Sequence, residues 1–346
     1  MLPYSLKLAA AFIFLINSMA IGLAGTYSED QLKSRFASWG IDPKYKQSSI
    51  NLLASWKKFQ KKKEIVVAVV DTGIQFNHPF LKDNIYTGEG RASASNYGKD
   101  FSNQGSDKAP KDNHGHGTHV SGIVKSVFPE VRILALKYYN PHASGQANLN
   151  STIQALRYAV KQNVDIINYS GGGPEPSAAE KAVLQEAERK GILVIAAAGN
   201  EKSNIDERQN AYYPASYGLS NIITVAAHDE YNQIISSSNF GKRSVDIAAP
   251  GFRIRSAIPG NGAGLMTGTS QATAFVTGVA ALLKSNYPKL NFQQIKNIIL
   301  SSSRKMTSLK GKILGGGKLD AARALEVAGF VNQRLYPSKG RSVARK

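Results

Sequence analysis

Continuous apolar runs rich in β-branched residues recur along the chain. They lie at Ile65 to Val70, Val131 to Leu136, Val164 to Asn168, Ile192 to Ala198, Ile222 to Ala226 and Val245 to Ala248. Runs that do not alternate apolar with polar positions suit strands buried on both faces. Helical spacing falls between and after them, at Gly117 to Val127, Ser151 to Gln162, Ser177 to Lys190, Ser270 to Ser285, Asn291 to Ser301 and Leu319 to Ala328. Strands alternating with helices predict an α/β fold with a mostly parallel central sheet flanked by helices. In such sheets ligands collect at the carboxyl ends of the strands. The residues directly after each apolar run are therefore the first candidates for chemistry.

The remaining stretches carry different signals. Met1 to Ala24 has Lys7, then a short apolar core from Leu8 to Ile16, then small residues before Ala20 and Ala24. That order predicts a signal peptide cleaved after Ala20 or Ala24, with export to the medium, the periplasm or the cell envelope. The apolar core is short for a membrane span, and no later stretch is longer, so no transmembrane segment is expected in the mature chain. Residues 25–63 are polar and basic, with weak helical spacing through Leu32, Phe36, Trp39, Ile50, Leu53 and Trp56. They predict a short N-terminal extension packed on a domain spanning 64–330. Arg91 to Asn113 is a polar loop, and 331–346 is expected as a disordered basic tail.

Charge and composition narrow the classes. Among 346 residues, 43 Lys and Arg stand against 24 Asp and Glu, a net charge of +19. The excess is scattered, with dense runs only at Lys57 to Lys63 and in the tail, and no nucleic-acid motif accompanies it. It reads as a solubilising cationic surface attracted to an anionic envelope rather than as a specific nucleic-acid site. The absence of cysteine excludes disulfides, a thiol nucleophile and a Cys-based metal site.

Polar residues do follow the apolar runs. Asp71 comes straight after Val70, in Val70-Asp71-Thr72-Gly73. An aspartic protease also uses Asp-Thr-Gly, but its chemistry needs two such loops sharing a proton, and this chain has one. Asp112-Asn113-His114-Gly115-His116-Gly117-Thr118-His119 opens the next helix. His116 and His119 share a helix face, but the His-Glu-x-x-His pattern of a zinc protease is missing. An imidazole with a pKa near ~6.5 suits a general base instead. Asn168-Tyr169-Ser170-Gly171-Gly172-Gly173 follows a strand, and its glycines suit an extended substrate backbone lying alongside. Ala197-Ala198-Gly199-Asn200 follows another, and an amide there suits donation into the same crevice. Ser270, within Gly268-Thr269-Ser270, lies at a helix start, where free N–H groups favour a developing negative charge.

Taken in order, these blocks resemble those of the subtilisin-like serine peptidases, the subtilases, over about Glu64 to Ala328. Tyr213-Pro214-Ala215 and Ala249-Pro250-Gly251 add to the match. The resemblance implies a three-layer subtilisin-like fold and a serine endopeptidase working through an acyl-enzyme. It implies Ser270 as nucleophile, His116 as base, Asp71 as the group orienting His116, and Asn200 as oxyanion donor with the Ser270 N–H. It further implies that Ser170, Gly171 and Gly172 bind the substrate backbone and that Ala197, Ala198 and Gly199 line the main specificity pocket. Protein or peptide substrates are the expected partners, with no cofactor, no catalytic metal and a monomeric chain.

Departures from the family pattern set further expectations. Gln271 to Phe275 replace the usual methionine and Ala-Ser-Pro-His after the serine. Only this favours the alternative reading, a subtilase-fold protein that binds peptides or envelope components without cleaving them, and the presence of Asp71, His116, Asn200 and Ser270 together argues against it. Gly171 replaces a larger apolar residue, which predicts a more open cleft there. His78-Pro79-Phe80-Leu81 has a phenylalanine where many relatives place a calcium-binding aspartate, and the connection after Val127 is short. Calcium needs six to eight oxygen ligands, so none is expected at that position.

Overall fold

The structure, a computed structural model, describes residues 38–88, 97–102 and 109–337. The expected signal peptide, most of the polar loop and residues 338–346 of the expected tail lie outside these. Nine strands form one sheet: β1 (Val66–Asp71), β2 (Lys99–Asp100), β3 (Arg132–Lys137), β4 (Ile166–Tyr169), β5 (Leu193–Ala197), β6 (Ile222–His228), β7 (Ile247–Pro250), β10 (Arg304–Lys305) and β11 (Gly317–Lys318). Their order is β10-β11-β7-β6-β5-β4-β1-β3-β2, and every pairing except β10 with β11 is parallel. A separate antiparallel hairpin, β8 (Ile254–Ile258) with β9 (Gly262–Met266), stands apart.

Both faces of the sheet are covered, which is why its strands read as unbroken apolar runs. Val67 and Val69 point to one face and Ala68 and Val70 to the other, each set joining its own core cluster. Helices α3 (Gly145–Lys161) and α4 (Ala178–Arg189) cover the second face. Helices α2 (His116–Val127), α5 (Thr269–Asn286), α6 (Phe292–Ser301) and α7 (Ala321–Leu335) pack on the first. The expected three-layer α/β architecture is the observed one. Every residue of α5 except Lys284 is buried, as befits a helix without a polar face. Sheet order reverses at β1, with β3 on one side and β4 on the other, so a crevice opens at the carboxyl ends of β1 and β4.

Helix α3 begins at Gly145, six residues before the expected start, capped by Ser144, whose side chain accepts from the Ala147 N–H. Its first turns, Gly145 to Asn150, are polar and carry no apolar period for a sequence reading to find. Helix α7 starts at an Asp320 cap and runs to Leu335.

Residues 38–63, including the short α1 (Leu52–Trp56), join the principal core rather than lying on it. Ile41, Ile50, Leu52, Trp56 and Phe59 are buried there. Trp56 Nε1 donates to the Val127 carbonyl at 2.9 Å, and Phe59 meets Phe128 edge-on at 5.6 Å between ring centroids. The Ala321 N–H donates to the Ile50 carbonyl at 2.8 Å. Lys318, fully buried, donates to the carbonyls of Ser48 and Ser49 at 3.2 and 2.7 Å. Ile50→Ala should therefore cost about 2–5 kcal/mol of stability, as for a large core truncation. Equilibrium urea unfolding measures it, and a loss well under 1 kcal/mol would show the segment to be peripheral.

Candidate active site

Three adjacent strands set the frame. Val70 lies opposite Tyr169, and Tyr169 opposite Ala196. One residue on, Asp71, Ser170 and Ala197 stand side by side at the sheet's carboxyl edge. Asp71 is buried, and its Oδ1 accepts from His116 Nδ1 at 2.7 Å and from the Thr72 N–H at 2.7 Å. The His116 ring keeps 24% of its surface exposed, so Nε2 is left for the cleft. Burial of the ring alone would lower the His116 pKa. The charge and hydrogen bond of Asp71, helped by Asp112, outweigh it and raise the value above 6.5.

His116 is held from below by Asp112. That carboxylate accepts from the N–H groups of His114, Gly115 and Thr118 at 3.0, 2.7 and 2.9 Å, and from the hydroxyls of Thr118 and Thr72 at 2.7 and 2.9 Å. Burial works against its charge, but these bonds hold its pKa below the ordinary carboxylate value. The Thr72 hydroxyl in turn accepts from the Gly117 N–H at 2.9 Å. Gly117 must be glycine, since a Cβ there would lie 2.1 Å from the Gly73 carbonyl oxygen. The start of α2 is thus pinned to the end of β1.

The third histidine of the cluster turns away. His119 is fully buried and its Nε2 donates to the Ile254 carbonyl at 2.9 Å. Burial lowers its pKa to about 4, so it is neutral.

Ser270 is 6% exposed at the second position of α5. Its hydroxyl donates to the Ser170 carbonyl at 3.2 Å and makes no hydrogen bond with His116. Such bonds are often absent without substrate, and a turn about χ1 re-aims the hydroxyl. The Ser270 N–H belongs to the first helical turn, whose N–H groups lack intrahelical acceptors. Asn200 is exposed beside it. Its Oδ1 accepts from the Thr269 N–H at 3.0 Å, and its Nδ2 donates to no described residue. The amide is thereby turned so that its donor is available. Gln271 is buried, with Nε2 lacking a partner among the described residues.

The glycine segment after β4 has two different edges. Gly173 exchanges both backbone hydrogen bonds with Tyr213, at 3.0 and 2.8 Å. The amide and carbonyl of Gly172 point the opposite way and bond to no described residue. They form a short free strand edge. At Gly171 the expected opening is absent. A Cβ there would lie 2.4 Å from the Tyr138 hydroxyl oxygen, so Tyr138 fills the space a larger residue would take.

Ala197 and Ala198 are buried and Gly199 follows with φ +98°. Between Gly172 and Gly199 stands Tyr212. A Cβ on Gly172 would meet its Cε1 at 2.5 Å, and one on Gly199 its Cδ2 at 3.0 Å. Asn239 holds the neighbouring loop by donating to the Ala198 carbonyl at 2.9 Å and the Glu201 carboxylate at 2.6 Å. Asn168 ties the two halves, donating to Ser170 Oγ at 2.9 Å and accepting from Thr277 of α5 at 2.8 Å. Tyr212 and Asn239 carry no local signal, because each acts across a loop. Asp112 was visible in the histidine block, as an acidic residue just ahead of a helix start.

At the family's calcium position the residues present do not fit the ion. The Phe80 carbonyl accepts from the Lys125 ammonium, which lies 4.6 Å from the centroid of the Phe80 ring. A divalent cation would meet a positive charge there instead of a carboxylate.

Comparison with known proteins identifies the family. Residues 62–323 match the model of the subtilase family. The major intracellular serine protease of Bacillus subtilis (strain 168) is 35% identical over 287 residues, covering 80% of this chain and 83% of that protein. Subtilisin DY of Bacillus licheniformis is 33% identical over 251 residues, covering 70% and 84%. Among solved structures, a subtilase cytotoxin superposes with a TM-score of 0.69 at 27% identity, covering 84% of this chain and 98% of that one. The chain belongs to the subtilase family, the subtilisin-like serine endopeptidases.

Proposed function

We propose that the protein is an exported endopeptidase that cuts proteins or peptides through an acyl-enzyme on Ser270. The Asp71–His116 hydrogen bond carries this reading, because it fixes the imidazole with Nδ1 as donor and Nε2 as base. Ser270 Oγ swings from the Ser170 carbonyl to Nε2, gives up its proton there and attacks the substrate carbonyl. The oxyanion accepts hydrogen bonds from the Ser270 N–H and Asn200 Nδ2. The protonated imidazole, stabilised by Asp71, hands its proton to the leaving amine, and water then repeats the sequence to release the acid. The substrate strand pairs with the free edge at Gly172, and the residue before the cut enters between Ser170–Gly172 and Ala197–Gly199. Export rests on the Met1 to Ala24 pattern. No helix among the described residues is long and apolar enough to cross a membrane.

The purified protein should react with a fluorophosphonate at Ser270, as read by peptide mapping. Ser270→Ala should abolish labelling and lower kcat by on the order of 10⁶, the scale known for subtilisin. Labelling elsewhere, or undiminished turnover in Ser270→Ala, would refute the assignment, and a wild-type protein that neither labels nor cleaves would favour the binding-only alternative.

The pH dependence follows from His116. Protonated imidazole cannot take the serine proton, and Asp71 raises its pKa above 6.5. The kcat/KM profile should therefore rise with pH through an apparent pKa above 6.5. An optimum at pH 3–4 would contradict a neutral imidazole base.

Because the Tyr212 ring touches both walls of the expected pocket, peptides with Ala or Ser before the cut should be preferred to those with Phe or Leu. Tyr212→Ala should raise kcat/KM for the larger residues by about tenfold or more. Unchanged preferences in a peptide library would remove Tyr212 from that pocket.

A further inference from the structure

A cavity of about 420 Å³ opens beside the free strand edge, lined among others by Gly172, Gly173, Tyr138, Tyr139, Tyr213 and Glu180. The chemistry assigned to Ser270, His116, Asp71 and Asn200 makes no use of it. Its size suits one large side chain or a small ligand.

Glu180 is the unexpected member of the lining. It lies in the first turn of α4, three residues after the Ser177 cap, where a Ser-x-x-Glu pattern predicts a capping box. The box is not made. The Ser177 N–H donates to the Tyr217 hydroxyl at 2.8 Å, and the Glu180 carboxylate turns inward. There it accepts from the hydroxyls of Tyr169 and Tyr217, at 2.6 and 2.7 Å, with only 2% of the residue exposed.

A carboxylate offers about four acceptor positions, and these two bonds leave the others open. Glu180 forms no ion pair with any described residue, nor does Glu175 at the cavity's rim. Lys181, next to it in the helix, lies 5.9 Å over the Tyr217 ring instead. A buried carboxylate without a counter-charge is costly, and burial does push the Glu180 carboxyl above its ordinary pKa. Four tyrosines, Tyr138, Tyr139, Tyr169 and Tyr213, share the lining with polar and apolar residues of α3, and aromatic rings attract cations.

We propose that this cavity is a subsite for a lysine or arginine side chain of the substrate, with Glu180 as the counter-charge and the tyrosines as aromatic walls. It rests on the reading of Ser170 to Gly172 as the segment that pairs with substrate. Ser170, touching Ser270, marks the scissile end of that segment, and Gly172 and Gly173 lie two and three residues further along. At one strand residue per ~3.3 Å, the cationic residue belongs about two to four positions from the cut. The chain's own charge of +19 repels cationic peptides at long range, so a preference for them requires a local anion such as this one.

The test uses dye-labelled peptides that carry lysine or norleucine at each position in turn, bound to the full-length Ser270→Ala protein and read by fluorescence anisotropy. The expected result is about tenfold or more tighter binding of lysine at a single position. Glu180→Gln should erase that difference. The amide fits, since Tyr169 still donates to its oxygen and the Tyr217 hydroxyl can accept from its nitrogen. Equal binding at every position, tighter binding of norleucine, or a lysine preference that survives Glu180→Gln would overturn the proposal. The comparison within Ser270→Ala stands even if the Glu180 variant does not fold. Because binding is read without turnover, a Glu180-dependent lysine preference in a chain whose wild type cleaves nothing would sink the protease reading and leave the subsite. Cleavage without that preference would do the reverse.

Discussion

The hydrogen bond between Asp71 and His116 is the interaction on which the rest of the site depends. It puts a carboxylate charge at the end of a buried strand, where charge is expensive unless it is paired. The fold meets that cost with several short bonds. Oδ1 takes the imidazole and the Thr72 amide, while Thr72 and Asp112 bind the first turn of the helix that carries the histidine. Gly117 lets that helix come within contact of the β1 loop. Each element restricts the next, so the histidine has one orientation and one free nitrogen.

A second constraint is the burial of α5. A helix with seventeen of its eighteen residues buried and Lys284 half-buried has no freedom to slide, so Ser270 is fixed along its axis and about it. Its entry is held by Gly268, whose N–H donates to the Gly251 carbonyl at 2.9 Å, and by Asn200 on Thr269. Asn168 then joins the helix to the substrate-side strand through Thr277 and Ser170. Ser270, the Asn200 amide and the strand edge are thus one connected body, the preorganisation that the proposed chemistry requires.

Tyrosines give the cleft its particular shape. Tyr138 occupies the room freed by Gly171, Tyr212 bridges Gly172 and Gly199, and Tyr169 and Tyr217 hold Glu180. Glycines in the walls and large rings between them are complementary, and neither is interpretable alone. At Phe80 a lysine ammonium stands where the family resemblance would place a metal ion.

Local sequence was enough to locate the six central strands, because burial on both faces leaves unbroken apolar runs that need no partner to be read. It also singled out Asp71, Asn200 and Ser270 as candidates, since a parallel sheet carries its strand ends to one edge and a helix start is marked by small polar residues. The histidine block singled out His116 only together with Asp71 and Ser270. What lay beyond reach depended on contacts between residues distant in the chain. The polar first turns of α3 and the β8–β9 hairpin have no periodic signature of their own, and the weak helical spacing across residues 38–63 predicted packing on the domain without showing how deeply they enter the core. Gly171 read as open space because the ring that fills it, Tyr138, is more than thirty residues away. Glu180 did not stand out in the sequence, because a Glu three residues after a Ser is ordinary at a helix start, whereas its direction is set by Tyr169 and Tyr217, both distant in the chain. Periodicity reports which residues are buried; only the tertiary structure decides what each of them meets there.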